Sequence, residues 1–109
     1  MGRLESEFQS EIIRKLRYDL FPGCIVTRGN SASQQGIPDV FIVYYDKWAM
    51  LEFKKSANEP YRPNQPYFVE LFNEWSFAAF IFPENAEEVL RDLQHALRPR
   101  RKARISQRQ

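Results

Sequence analysis

The chain has 109 residues, a length typical of a single domain built around one hydrophobic core. Apolar residues make up 43% of the sequence and charged residues 28%, which is typical of a folded globular protein and excludes disorder of the whole chain. No apolar run is long enough to cross a bilayer, and no secretory signal pattern opens the chain. We therefore expect an intracellular, cytoplasmic protein without a membrane partner.

The cysteine and histidine content limits the possible chemistry. Cys24 is the only cysteine and His95 the only histidine. One chain therefore cannot form a disulfide framework, a zinc cluster of cysteine and histidine, or a cysteine protease site. A serine triad would have to use His95, which stands in a helix-forming segment far from any nucleophile motif. A metal site in this chain would have to be built from carboxylates.

Charge is distributed unevenly along the chain. Residues 98–109 hold six basic residues and no acid, whereas residues 1–97 hold ten basic and fourteen acidic residues, a net of −4. The apolar content of the terminal segment is too low for it to fold alone. We therefore predict a folded domain over residues 1–97 and a basic, disordered tail over 98–109.

The first third of the chain predicts a helix, a strand and a loop. Apolar residues recur every fourth position from Leu4 to Leu20, which predicts an amphipathic helix over residues 3–20. Pro22 and Gly23 would end it. The segment 24–28 is short and contains several β-branched residues, which predicts a strand, and residues 29–36 have the polar composition of a loop.

The rest of the chain predicts three strands and two helices. Residues 39–45 and 48–54 are apolar runs separated by Asp46 and Lys47, which predicts a hairpin. Because both runs are nearly continuous in apolar residues, we expect central strands covered by helices on both faces. A helix beginning near Pro63 or Pro66, a strand over 78–82 and a helix over 86–97 complete an α/β order of α-β-β-β-α-β-α.

Three charged residues interrupt the apolar hairpin. If the turn is formed by Asp46 and Lys47, Asp39 pairs with Lys54, and Glu52 shares their face because side chains alternate along a strand. Burying these groups together is costly unless they pair or bind a ligand, and two carboxylates suit a hard divalent cation. The alternative is that Glu52 and Lys54 reach water at the sheet edge and Asp39 is a turn residue.

These residues resemble the bipartite motif of the PD-(D/E)XK nuclease superfamily. Residues 36–39 read Gly-Ile-Pro-Asp, and Glu52 and Lys54 form the Glu-x-Lys half thirteen residues later. The order of motifs is most similar to the virus-type replication-repair (VRR-NUC) branch and its Holliday-junction-resolving relatives. The positions of Glu5, Gln9 and Gln65 match that pattern as well. The resemblance implies a restriction-endonuclease-like core, α-β-β-β-α-β, with a central mixed sheet flanked by helices and followed by a C-terminal helix.

The resemblance also implies a chemistry, which is the hydrolysis of a DNA phosphodiester with a divalent metal. Asp39, Glu52 and the main-chain carbonyl of Phe53 would hold Mg²⁺, for which Mn²⁺ would substitute. Lys54 would orient a water or stabilise the developing charge. Glu5 would reach the same metal or a second one, and Glu7 and Glu11 are the other candidates for this role. The alternative is that Glu5 is a solvated acid at the start of the helix and binds no metal.

Two further sets of residues are candidates. Gln65 would contact the scissile phosphate or Lys54, unless it is only a polar residue of the first helical turn. Small polar and basic side chains in the loops and tail position a duplex through its phosphates. The candidates for DNA contact are Arg28, Asn30, Ser31, Ser33, Gln34, Gln35, Tyr61, Arg62, Arg100, Arg101 and Lys102.

The leading hypothesis is therefore a magnesium-dependent endodeoxyribonuclease, acting as a homodimer on branched, Holliday-junction-like DNA, in a host cytoplasm if a phage encodes it. The dimer follows from the small size of the chain and from the two sites that symmetric cuts require. A nicking, flap or homing-type nuclease of the same fold is one alternative. A catalytically inactive nucleic-acid-binding module is another, and an RNA-binding protein that uses the basic tail is a third.

Overall fold

The computed structural model describes residues 5–29 and 35–99. Its helices are α1 (Glu5–Arg14), which continues as a π-helix over Lys15–Leu20, α2 (Gln65–Trp75) and α3 (Ala86–Ala96). Its strands are β1 (Ile25–Arg28), β2 (Val40–Tyr44), β3 (Lys47–Phe53) and β4 (Ala78–Ile81). The predicted order of elements is confirmed. Among the described residues, no helix is both long and apolar enough to cross a membrane.

The four strands form one mixed sheet in the order β1-β2-β3-β4. The first three strands are antiparallel neighbours, and β4 pairs in parallel with β3. Because a parallel neighbour requires a crossover, α2 connects β3 to β4. The carboxyl end of β3 therefore lies close to the start of α2.

Helices cover both faces of the sheet, as the apolar runs predict. Phe8 of α1 meets Phe53 of β3 edge-on, with ring centroids 5.7 Å apart, and Leu93 of α3 belongs to the same buried core. On the opposite face, Trp48 of β3 meets Phe72 of α2, with centroids 6.3 Å apart. The central strands β2 and β3 are thus held between α1 and α3 on one side and α2 on the other.

The predicted hairpin is correct in kind but wrong in its turn. The turn residues are Tyr45 and Asp46, with Tyr45 in the left-handed region at φ 58°, and Tyr44 pairs with Lys47. The predicted pairing of Asp39 with Lys54 is therefore shifted by two residues. Continued by one step beyond Val40, the observed register places Asp39 opposite Glu52. Because side chains alternate with a period of two, Asp39 and Glu52 still share the face of Lys54.

The N-terminal helix is shorter as an α-helix than predicted. Its hydrogen bonds widen from Lys15 onwards, and the amide of Phe21 donates to the carbonyl of Leu16, five residues earlier, at 2.9 Å. The helix ends before Pro22 and Gly23, as predicted, and Gly23 has φ 89°. Of the predicted tail, only Arg98 and Pro99 are among the described residues; residues 100–109 lie outside them.

Candidate active site

Asp39 is positioned where the loop before β2 enters the sheet. Its Oδ1 accepts a hydrogen bond from the main-chain amide of Phe53 at 3.4 Å, and its Oδ2 accepts one from Gln9 Nε2 at 3.4 Å. The first contact ties the carboxylate to the end of β3, and the second ties it to α1. In an extended strand the N–H and C=O of one residue leave on the same side, so the Phe53 carbonyl is directed toward the Asp39 side of β3.

A chain of hydrogen bonds connects the other two motif residues through Gln65. Lys54 Nζ donates to Gln65 Oε1 at 2.6 Å, and Gln65 Nε2 donates to Glu52 Oε2 at 2.9 Å. Gln65 Oε1 also accepts from the amide of Arg62 at 2.8 Å. Gln65 is the first residue of α2, so the crossover connection brings it to the end of β3. It is a buried linker between Lys54 and Glu52, and not merely a polar residue of the first helical turn.

These groups are inside the protein. Glu52 is 7% exposed and Lys54 2% exposed, although both are ionisable. The alternative in which they reach water at the sheet edge is therefore excluded. No buried polar side-chain atom among the described residues lacks a hydrogen-bond partner, so each enclosed polar atom makes at least one hydrogen bond.

Burial changes the acidity of the two carboxylates. Loss of hydration raises the pKa of Glu52 to about 8, and the negative charge of Asp39 adds to this. Burial likewise raises the pKa of Asp39 to about 6, against the hydrogen bond from the Phe53 amide, which lowers it. Without a nearby cation the pair therefore retains protons near neutral pH.

The loop between β3 and α2 adds two groups that the sequence analysis did not identify. The carbonyl of Pro60 accepts a hydrogen bond from Lys54 Nζ at 3.2 Å, and Glu59 Oε2 lies 3.9 Å from the same nitrogen. Glu59 Oε1 accepts from the amide of Lys55 at 2.7 Å. The loop has no hydrophobic period, so its fold could not be predicted. Its position directly after Lys54 was the available signal.

The network lies at one side of a cleft of about 340 Å³. Every residue predicted to be catalytic or metal-binding lines it: Glu5, Asp39, Glu52, Phe53, Lys54 and Gln65. Of the three described acids of α1 considered as metal ligands, Glu5 is the one that lines the cleft, whereas Glu7 and Glu11 do not. Burial raises the pKa of Glu5, and the charge of Glu59 raises it further. Glu5 is therefore part of the same electrostatic environment.

Only some of the predicted DNA contacts that the structure describes line the cleft. Gln35 and Arg62 are exposed and line the cleft, whereas Arg28 is exposed on β1 and does not line it. Tyr61 is 59% exposed, and its ring lies against Phe80 with centroids 4.5 Å apart. The remaining predicted contacts lie outside the described residues: Asn30, Ser31, Ser33, Gln34, Arg100, Arg101 and Lys102.

Among its described residues, the cleft offers a donor set of few side chains that can bind a divalent cation. Over residues 5–29 and 35–99, no three acidic, histidine or cysteine side chains are gathered closely enough to hold a metal ion. The charge of Asp39 raises the pKa of Glu52, and the charge of Glu5 raises that of Asp39, so a cation near these carboxylates would offset the repulsion. The set fits a hard cation that keeps several of its waters and takes few protein ligands, as Mg²⁺ does.

Comparison with known proteins supports the fold. No family model matches the sequence, and no curated protein matches it. A solved structure of a VRR_NUC domain protein superposes with a TM-score of 0.66 at 19% sequence identity, covering 88% of this chain and 89% of that one. The chain therefore has the fold of a VRR_NUC domain protein, an α/β fold with a mixed four-stranded sheet and a restriction-endonuclease-like core.

Proposed function

We propose that this protein is a divalent-metal-dependent endonuclease that hydrolyses DNA phosphodiester bonds. The observation that carries the proposal is the convergence of Asp39, Glu52 and Lys54 in one cleft, with Lys54 and Glu52 buried and bridged by Gln65. The structural similarity to a VRR_NUC domain protein supports a nuclease domain. Burying an ammonium beside two carboxylates costs stability, and perturbed ionisable groups that line a cleft are typical of functional sites.

The residues divide the work according to their positions. Asp39, Glu52 and the Phe53 carbonyl would hold Mg²⁺ or Mn²⁺, which when bound would polarise the phosphate and lower the pKa of a water. Two of the three N–H groups of Lys54 are bonded to Gln65 and Pro60, so the amine has a defined position. Its remaining N–H can then donate to a water or to a non-bridging phosphate oxygen, which stabilises charge that develops during hydrolysis.

The walls of the cleft supply contacts to the DNA backbone. Arg62 and Gln35 line it and are exposed, so they can bind phosphates next to the scissile bond without reading sequence. Glu5 is placed to act on the metal or on its waters. We assign the DNA preference to branched substrates, and flap or nicked DNA is the alternative.

We also propose that two copies act together, because one small domain offers one cleft and symmetric cuts need two. The outer surface of α2 supports a self-association face, since Tyr67 is 62% and Trp75 64% exposed. Exposed aromatic residues that cluster on one helix are typical of an interface. Light scattering after size-exclusion chromatography, with Trp75→Ser as the variant, measures this directly: a monomeric wild type contradicts the dimer.

Cleavage of defined substrates tests the proposal. A four-way junction, a flap and a linear duplex are incubated with Mg²⁺, Mn²⁺ or EDTA and with three variants, Asp39→Asn, Lys54→Met and the control Glu88→Gln. Glu88 is exposed on α3, which covers the face of the sheet opposite to α2 and the candidate site. We expect metal-dependent cutting by the wild type and the control, and a loss of at least about a hundredfold in the other two. A folded wild type that binds these DNAs and cuts none of them supports the inactive binding module instead.

A further inference from the structure

The ion pair of Lys54 with Glu59 is not used by the proposed hydrolysis. Glu59 Oε2 lies 3.9 Å from Lys54 Nζ, which is within ion-pair range but too long for a hydrogen bond. The Lys54 ammonium has three N–H donors, of which Gln65 Oε1 and the Pro60 carbonyl take two. Glu59 is too far away to accept a hydrogen bond from the third N–H.

Two aromatic rings and the Glu59 carboxylate surround the Lys54 ammonium. The rings of Tyr61 and Phe80 flank the ammonium, with centroids 5.7 and 5.9 Å from Nζ. Both Lys54 and Glu59 line the cleft. An oxygen anion that approaches the third N–H from the cleft therefore comes close to the Glu59 carboxylate and is repelled by it.

Glu59 is itself held in place. Its other oxygen accepts from the Lys55 amide at 2.7 Å, and its side chain is only 16% exposed. Because this bond fixes the carboxylate, Glu59 cannot swing away from Lys54 without giving up a main-chain partner. Its charge is therefore a constant feature of the cleft.

We propose that Glu59 weakens DNA binding in the absence of a cation by competing with the DNA phosphate for Lys54. Its negative charge lies 3.9 Å from the ammonium and repels a phosphate that approaches the same nitrogen, so DNA binds less tightly than it would without this carboxylate. This inference rests on the proposed function and assigns a regulatory role to a residue outside the motif. Most active-site substitutions weaken substrate binding, whereas this one is expected to strengthen it.

The test measures DNA affinity in EDTA, where the proposed reaction does not proceed. A fluorescein-labelled duplex is titrated with wild type, Glu59→Gln and the matched control Glu88→Gln, which changes net charge by the same amount. Glu59→Gln keeps an acceptor for the Lys55 amide and removes only the charge. We expect it to bind DNA about three- to tenfold more tightly than wild type, and the control to change affinity by less than about twofold.

A double substitution shows whether the gain passes through Lys54. In a Lys54→Met background, Glu59→Gln should no longer tighten binding, because the ammonium that the phosphate would reach is absent. Unchanged or undetectable binding by Glu59→Gln overturns the inference, and so does a gain that persists without Lys54. If Glu59→Gln tightens binding but the wild type cuts no DNA with metal, the proposed function fails alone. If the wild type cuts DNA and Glu59→Gln binds as wild type does, only this inference fails.

Discussion

Lys54 and Gln65 are joined by a 2.6 Å hydrogen bond inside the protein, one at the carboxyl end of β3 and the other at the first residue of α2. The side-chain amide of Gln65 is both acceptor and donor, since its oxygen accepts from Lys54 and its nitrogen donates to Glu52. A buried ammonium and a buried carboxyl group thus depend on the same side chain.

Replacing Gln65 by leucine should affect stability and activity together. The change removes the Gln65 partner of Glu52 and one of the two hydrogen-bond acceptors of Lys54, so we expect the free energy of unfolding to fall by about 1–3 kcal/mol. The Lys54 amine also loses its fixed position, so kcat should fall while KM changes little. Urea unfolding and cleavage kinetics measure the two effects. Gln94→Leu, at an exposed position of α3, is the control, and an equal loss in both variants contradicts the assignment.

The stability of the metal-free protein should fall as the pH rises. Folding raises the pKa of Asp39 from 3.8 to about 6 and that of Glu52 from 4.5 to about 8. The folded state therefore holds protons that the unfolded state has already released, which lowers stability between about pH 4 and 8 and has no further effect above that. Urea unfolding in EDTA should show a lower free energy of unfolding at pH 8.5 than at pH 5, by at most about 5 kcal/mol.

The Glu52→Gln variant distinguishes the contribution of Glu52 to this pH dependence from that of Asp39. The variant cannot ionise at this position, so the decline between about pH 6 and 8 should disappear while the decline below pH 6 remains. If the variant shows the same dependence as wild type above pH 6, Glu52 is not the group that titrates there.

Metal binding should release a proton at neutral pH. Glu52, with a pKa of about 8, is mostly protonated at pH 7 and must lose its proton to become a ligand. Calorimetric titration with Mg²⁺ or Mn²⁺ in two buffers of different ionisation enthalpy should therefore yield about one released proton. In Glu52→Gln the two buffers should give the same heat. The same result for wild type would contradict ligation by an initially protonated Glu52.

Gly36 should tolerate no side chain, for two separate reasons. Its φ is 95°, and an added Cβ would lie 2.6 Å from Asn64 Cβ and 2.8 Å from the Asn64 carbonyl carbon, at the start of α2. Gly23 has a similar φ of 89° but nothing within 4 Å of such a Cβ. We expect Gly23→Ala to cost about 1 kcal/mol and Gly36→Ala about 1–3 kcal/mol more. Equal midpoints in urea for the two variants would contradict the close contact.

The site was more predictable than the register that positions it. The Asp46–Lys47 turn was wrong, because a two-residue turn at Tyr45 and Asp46 fits the same apolar runs. The convergence of Asp39 with Glu52 was nevertheless correct, since a shift of two residues preserves the face. Composition and spacing thus determine which side chains share a face, whereas the partner directly opposite depends on turn geometry.

Helix α2 shows a second limit of prediction from sequence, which concerns the residues that a helix buries. Aromatic residues recur along α2 at helical spacing, yet Trp75 is 64% exposed, and Val69 and Gln65 are the buried residues of the helix. A polar residue faces inward because Lys54 and Glu52 bind it, and it carries Val69, one turn later, to the same side. Hydrophobic periodicity cannot reveal a helix that is oriented by a polar contact.

The segment between Lys54 and Gln65 is closed at its base by the hydrogen bond between these two residues, independently of what lies between them. The entropy of closing such a loop grows only with the logarithm of its length, so doubling it would cost about 0.6 kcal/mol. Insertions that spare Glu59 and Pro60 would leave the sheet, the carboxylates and the ammonium in place while reshaping the mouth of the cleft. Lengthening this one loop would therefore change the shape of the cleft without rebuilding the groups at its base.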